Sequence, residues 1–274
     1  MGSSSNQFPS AFSSEGNWTR EQSMLAFKFY CETPFGQLHA KNKNVIDLAK
    51  LIGRTPGALA MKCVNFASLD PAIRESGRSG LGNVSALDRA IWRDFHENWN
   101  SLVEDCDLLL DHLHTRSGAS PAQPADDLLP EDLDFTGETR IGIVQQRVKQ
   151  GFFRRSVLSS YANRCCISGI SDTRFLVASH IVAWRDDASI RLHPANGLCL
   201  STIHDKAFDK YLFSLTDERI VILSDELRKT NDEFLRKLFL PIEGLPIFLP
   251  EKFAPEPAFV RRHREKMLAT PRGT

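Results

Sequence analysis

The stretch LVASHIVAWRDDASIRLHPANGLCLSTIHDKAFDKYLF, residues 176–213, decides how the chain is read, because it sets His180, Asn196, His204 and Asp209 at spacings one compact site could use. His180 lies in an apolar, β-prone run (Leu176, Val177, then Ile181, Val182), so it is expected on or at the end of a strand. Asn196-Gly197 is a turn signal ahead of a second apolar run, and the Asn side chain can accept the proton on one histidine nitrogen and leave the other open. By this reading Asn196 orients His180. His204 opens HDKAFDKYLF, where Ala207, Phe208 and Tyr211 keep helical spacing, and a histidine at a helix start can offer a neutral nitrogen to a metal. A base for water and a cation for the phosphate are what phosphodiester hydrolysis needs.

The order His, Asn, His on a strand, a loop and a helix resembles the HNH endonuclease family, over residues 161–213. The runs that carry the likeness are CCISG (165–169), SHIVAW, NGLCL and HDKAFD. The resemblance implies a ββα-metal fold, with CCISG opening its first β element. It makes His180 the general base, Asn196 the residue that holds it and His204 the ligand of a divalent metal, Mg²⁺ first, with Mn²⁺, Ni²⁺ or Zn²⁺ as other candidates. Many members carry Asp or His immediately before the base; here Ser179 stands there, and Asp209 is the nearest acidic candidate to complete the metal site. The family's accessory zinc knuckle has two Cys-x-x-Cys pairs. Here Ser168 and Ser201 replace thiolates, leaving Cys165, Cys166 and Cys199.

The remainder reads as a helical N-terminal unit. Residues 1–16 are rich in Ser, Gly and Asn and are expected to be disordered. Thr19 is a candidate N-cap for a helix reaching about Cys31. Val45, Ile46, Leu48, Ala49 and Ile52 form one further helix, and Thr55-Pro56 opens another across Gly53. Two helices joined through IGRTPG make a helix-turn-helix candidate, in which Arg54, Thr55 and Lys62 could reach phosphate or bases, or the pair could be ordinary helical packing. Residues 18–71 also resemble the domain found ahead of HNH modules in some restriction endonucleases. A Gly-rich loop is expected at 76–83 and a helix from Ala86 to about Leu113. A Pro-rich acidic linker at 117–139 then separates residues 17–116, expected to bind DNA, from a nuclease domain at 140–274.

A helix is expected between Ile141 and Tyr161, with Arg154 and Arg155 as phosphate contacts. After the site come two short strands within 213–223, helical spacing over 224–239, an extended LPIFLP, and a basic terminal helix over 257–267. The solvated-face reading of that last helix is preferred over DNA contact.

The fold class is therefore α+β: a helix-turn-helix-like N-terminal domain followed by an HNH domain. The balance of 34 basic and 34 acidic residues excludes a chain basic throughout, so any nucleic-acid surface is local. No apolar run long enough to span a bilayer occurs, and the first residues lack the pattern of a signal peptide, so a cytoplasmic protein that does not enter membranes is expected. The 6 cysteines show no secreted disulfide framework and are expected as free thiols. The resemblance implies metal-dependent cleavage of DNA in restriction or another defence against foreign DNA, with a homodimer to cut both strands. A catalytically weakened HNH-fold DNA-binding protein, and a nuclease acting on RNA or single strands, stay open as alternatives.

Overall fold

A computed structural model describes residues 16–75, 84–117 and 137–269, with only the backbone described over 137–148. The expected N-terminal tail, the Gly-rich loop at 76–83 and most of the acidic linker lie outside the described residues.

Helix α1 (Arg20–Glu32) begins where the sequence predicts: the Thr19 hydroxyl accepts from Gln22 N, and Gln22 returns a bond to Thr19 N. It forms the axis of the N-terminal half. Phe27, without solvent exposure, is ringed by Phe66, Phe95, Trp92 and Trp99 at centroid separations of 5.0, 4.6, 5.6 and 5.9 Å. Such pairs contribute about 0.5–1.5 kcal/mol each beyond burial. Around it lie α2 (Lys43–Leu51), α3 (Pro56–Ala67) and α4 (Pro71–Glu75). Gly53, at φ 67°, makes the left-handed link between α2 and α3 that a side chain would resist.

The helix expected from 86 to 113 is two helices, α5 (Ala86–Glu97) and α6 (Trp99–Ser117). Asn98 separates them at φ −152°, ψ 75°, and its side-chain oxygen accepts from Ser101 N at 3.2 Å, so it acts as a cap for α6.

Helix α7 (Gly137–Ser160) packs on α1 and backs the candidate site. Strands β1 (Leu176–His180) and β2 (Gly197–Ser201) form an antiparallel pair with His180 opposite Gly197. Helix α8 (Thr202–Asp209) follows directly. A second antiparallel pair joins β3 (Phe213–Leu215) and β4 (Val221–Leu223). Then come α9 (Asp225–Arg228), α10 (Glu233–Phe239) and α11 (Pro257–Ala269). CCISG is a turn and not a strand: Gly169 N donates to the Cys165 carbonyl, Cys165 N to that of Ile170, and Gly169 sits at φ 74°. Among the described residues, only Cys166 bonds outward from the turn through its backbone, its N–H to the Cys199 carbonyl of β2 and its carbonyl accepting from Phe248 N.

One hydrophobic cluster runs from α1 through α7 to α11. Polar bonds cross the same boundary. Lys252, fully buried, donates through Nζ to the carbonyls of Tyr30, Cys31 and Thr33 at 2.6, 3.0 and 2.7 Å, capping the end of α1. Asp70 accepts from Phe253 N and from the Tyr30 hydroxyl. The basic α11 is neutralised along its length: Arg261 and Arg264 meet Asp217, Arg262 meets Asp187, and Lys266 meets Asp186. All 6 cysteines are free and buried. Among the described residues no helix is long and apolar enough to cross a membrane.

Candidate active site

His180 closes β1, so a strand end aims its ring. One face stacks on Phe153 of α7, centroids 3.7 Å apart and planes at 9°, and the edge of Trp184 closes a second side at 5.4 Å. Nε2 lies 3.0 Å from the Arg191 carbonyl. A carbonyl only accepts, so Nε2 carries the proton and Nδ1 keeps its lone pair. Burial pushes the His180 pKa down to about 4; the bond to the Arg191 carbonyl works against this and the nearby Arg191 charge adds to it. The imidazole is therefore neutral near pH 7, the state a general base needs.

Asn196 does not accept the His180 proton; the carbonyl of Arg191 does. Its amide, 1% exposed, instead pins the loop between the strands. Oδ1 accepts from Val182 N at 2.8 Å, while Nδ2 donates to the carbonyls of Val182 and Ile190 at 3.1 and 3.4 Å. A carboxamide suits this place because it both donates and accepts, matching a paired N–H and C=O. Since Ile190 precedes Arg191, Asn196 positions the base at one remove. Gly197 permits the close approach of α7: an added Cβ would lie 2.3 Å from Val157 Cγ2 and 3.0 Å from Phe153 Cζ.

His204 and Asp209, expected to share a metal, diverge. Five residues along a helix turn the direction by about 140°. His204 is 1% exposed, with Nδ1 2.6 Å from Ser201 Oγ and Nε2 buried without a hydrogen-bond partner. It faces Cys165, whose sulfur accepts from Ser168 N and Ser201 N at 3.4 and 3.2 Å. Burial raises the Cys165 pKa, but the His204 ring beside it and the bonds from Ser168 outweigh this and bring the thiol to about 6. His204 thus packs with Cys165, Ser168 and Ser201. Asp209 is exposed on another side of α8.

Asp205 is a further acidic residue at the site. It stands one helical turn before Asp209 on the same face and beside Ser179 of β1. Burial raises its carboxyl pKa, the Ser179 hydroxyl lowers it, and Asp209 raises it again. Burial raises that of Asp209 too, against Lys206 and Lys210. Ser179 Oγ is buried and makes no well-formed hydrogen bond. Hard oxygen donors of this kind suit Mg²⁺. Among the described residues no group of three or more His, Cys, Asp or Glu side chains is placed to hold a metal ion. The signal that could have found Asp205 was the i, i+4 spacing of the two acids.

The expected phosphate contacts are otherwise engaged. Arg154 donates to the Leu176 carbonyl, and Arg155 pairs with Glu32. Arg54 binds Gln22 and the carbonyls of Gly16 and Asn17, Thr55 caps α3 by accepting from Ala58 N, and Lys62, 5% exposed, pairs with Asp88. Of these only Lys62 lies on the second helix, which turns it inward against Trp18 and Asp88, while Arg54 packs over the Trp18 ring from the preceding turn. No curated protein matches the chain. Residues 165–216, which hold His180, Asn196, His204, Asp205 and Asp209, match the family model described as HNH endonuclease.

Proposed function

We propose that the chain is a metal-dependent endonuclease that hydrolyses DNA phosphodiester bonds through a ββα-metal site, and that it serves in restriction or another defence against foreign DNA. The observation that carries this is His180, neutral, stacked on Phe153 and held by the Arg191 carbonyl with Nδ1 open. Nδ1 takes a proton from water as that water attacks phosphorus, while Nε2–H stays on the carbonyl and keeps the ring from turning. Phe153 and Trp184 exclude solvent from two sides of the base. A divalent metal, Mg²⁺ first, bound by Asp205 and Asp209 would stabilise charge on the phosphate and the leaving oxygen. Asn196 is a positioning residue, holding the loop that carries Arg191.

The defence role rests on the likeness of residues 18–71 to the domain that precedes HNH modules in restriction enzymes. Cutting both strands of a duplex requires two sites, which two copies of the chain would supply.

The test is incubation of the full chain with plasmid and modified phage DNA in Mg²⁺, Mn²⁺ or EDTA, beside His180→Ala. Cleavage that needs metal and is lost in the variant is expected. Binding of DNA by both proteins with cleavage by neither would replace the reading with a catalytically silent DNA-binding module.

A further inference from the structure

Resting on the nuclease reading, we infer that Arg191 is the phosphate-binding residue of the site, its guanidinium receiving a DNA phosphodiester while its own carbonyl sets the tautomer of His180. The residue has two parts with two tasks.

Its main-chain oxygen lies 3.0 Å from His180 Nε2. Its side chain returns across the loop, where Nε donates to the Trp184 carbonyl at 2.6 Å and the guanidinium rests 5.3 Å from the Trp184 ring centroid. Trp184 in turn meets His180 edge-on. The cation is thus fixed on the wall of the pocket that holds the base, and it sits close enough to bear on the charge of His180. Trp184 settles the plane and Nε bond in advance, so little freedom is lost when an anion binds.

Nη1 and Nη2 have no acceptor among the described residues, and Arg191 makes no ion pair there. Its neighbours differ. Arg154 is bound to a carbonyl, and Arg155, Arg262 and Arg264 are bound to carboxylates. Arg191 is half-buried, which strengthens its attraction for an anion relative to a fully solvated cation. A planar fork with two open N–H groups matches two oxygens of a phosphodiester.

The test measures binding and cutting separately. Binding of a fluorescent DNA duplex is followed in EDTA over a salt series, with Arg191→Met placed in a His180→Ala background; cutting is followed in Mg²⁺ with Arg191→Met alone. Weaker binding, a salt slope smaller by about one and cleavage reduced about a hundredfold are expected. The melting temperature should stay within about 3 °C of the parent. If Arg191→Met melts early, Arg191→Gln, which can keep a bond to the Trp184 carbonyl, takes its place in both assays. A parent that binds DNA but cuts none defeats the nuclease reading, and the salt slope still decides Arg191. Unchanged affinity, slope and cleavage in the variant overturn the assignment, as does a parent without measurable duplex affinity.

Discussion

Adding one methyl group, Gly197→Ala, strikes the joint between the site and the helix behind it. Gly197 has φ −128°, ordinary extended backbone, so alanine meets no conformational penalty and the cost is one of contact alone. The new Cβ would stand 2.3 Å from Val157 Cγ2, 3.0 Å from Phe153 Cζ and 3.2 Å from the Pro194 carbonyl. Val157 and Phe153 are buried at 0% and 2% exposure, so neither can swing into solvent. Overpacking of this kind costs about 1–3 kcal/mol. Val157→Ala alone should cost about 2 kcal/mol through two lost methyl groups and the cavity they leave. Together the changes should cost less than their sum by at least about 1 kcal/mol, because the worst contact is gone while that with Phe153 remains. Urea unfolding of the four proteins gives this coupling. Since Phe153 is the floor under His180, Gly197→Ala should also lower kcat more than it raises KM. A Gly197→Ala protein within about 0.5 kcal/mol of the parent, with additive costs in the cycle, would refute the reasoning.

Three further outcomes follow from the same structure. Burial lowers the pKa of His193 to about 3 and those of His180 and His263 to about 4, so the unfolded chain takes up protons near pH 6.5 that the folded chain refuses. Stability from these three is complete above that pH and falls by about 4 kcal/mol between pH 7.5 and 5.5, seen as a lower urea midpoint. The Cys165 thiol, brought down to about 6, holds fewer protons in the folded chain than in the unfolded one across this window and adds to the fall; a midpoint constant from pH 7.5 to 5.5 contradicts the account. Lys252→Met leaves three carbonyls at the end of α1 without their donor and should cost about 3 kcal/mol in urea unfolding. Asp205→Asn should raise the Mg²⁺ concentration for half-maximal cleavage by at least about tenfold, whereas His204→Gln should lower the urea midpoint and leave the Mg²⁺ requirement where it was; the reverse pattern would return the metal to His204.

What could be read in the sequence was local. The Thr19 N-cap, the strand ending on His180 and the helix that holds His204 in its first turn each follow from residues within a few positions of one another. What could not be read depends on partners brought from afar or on main-chain atoms. The acceptor for His180 is a carbonyl, which has no letter in the sequence, and the Asn that was expected there holds two other stretches of backbone. Lys62 looked like a surface cation because Asp88 and Trp18, which cover it, lie far away in the chain. The basic run of α11 similarly found its acids in the site loop and after β3. Asp205 is legible by spacing alone, four positions before Asp209.

The bond between Lys252 and the Tyr30 carbonyl spans 222 positions, and it sets an order on how the molecule is made. On the ribosome α1 emerges well before Lys252, and its last carbonyls wait in water until that residue has been translated. The N-terminal helices can gather before that moment but cannot reach their final stability. By then His180, Asn196 and Asp205 are already synthesised, so the candidate site can pack before the far end of α1 receives its cap.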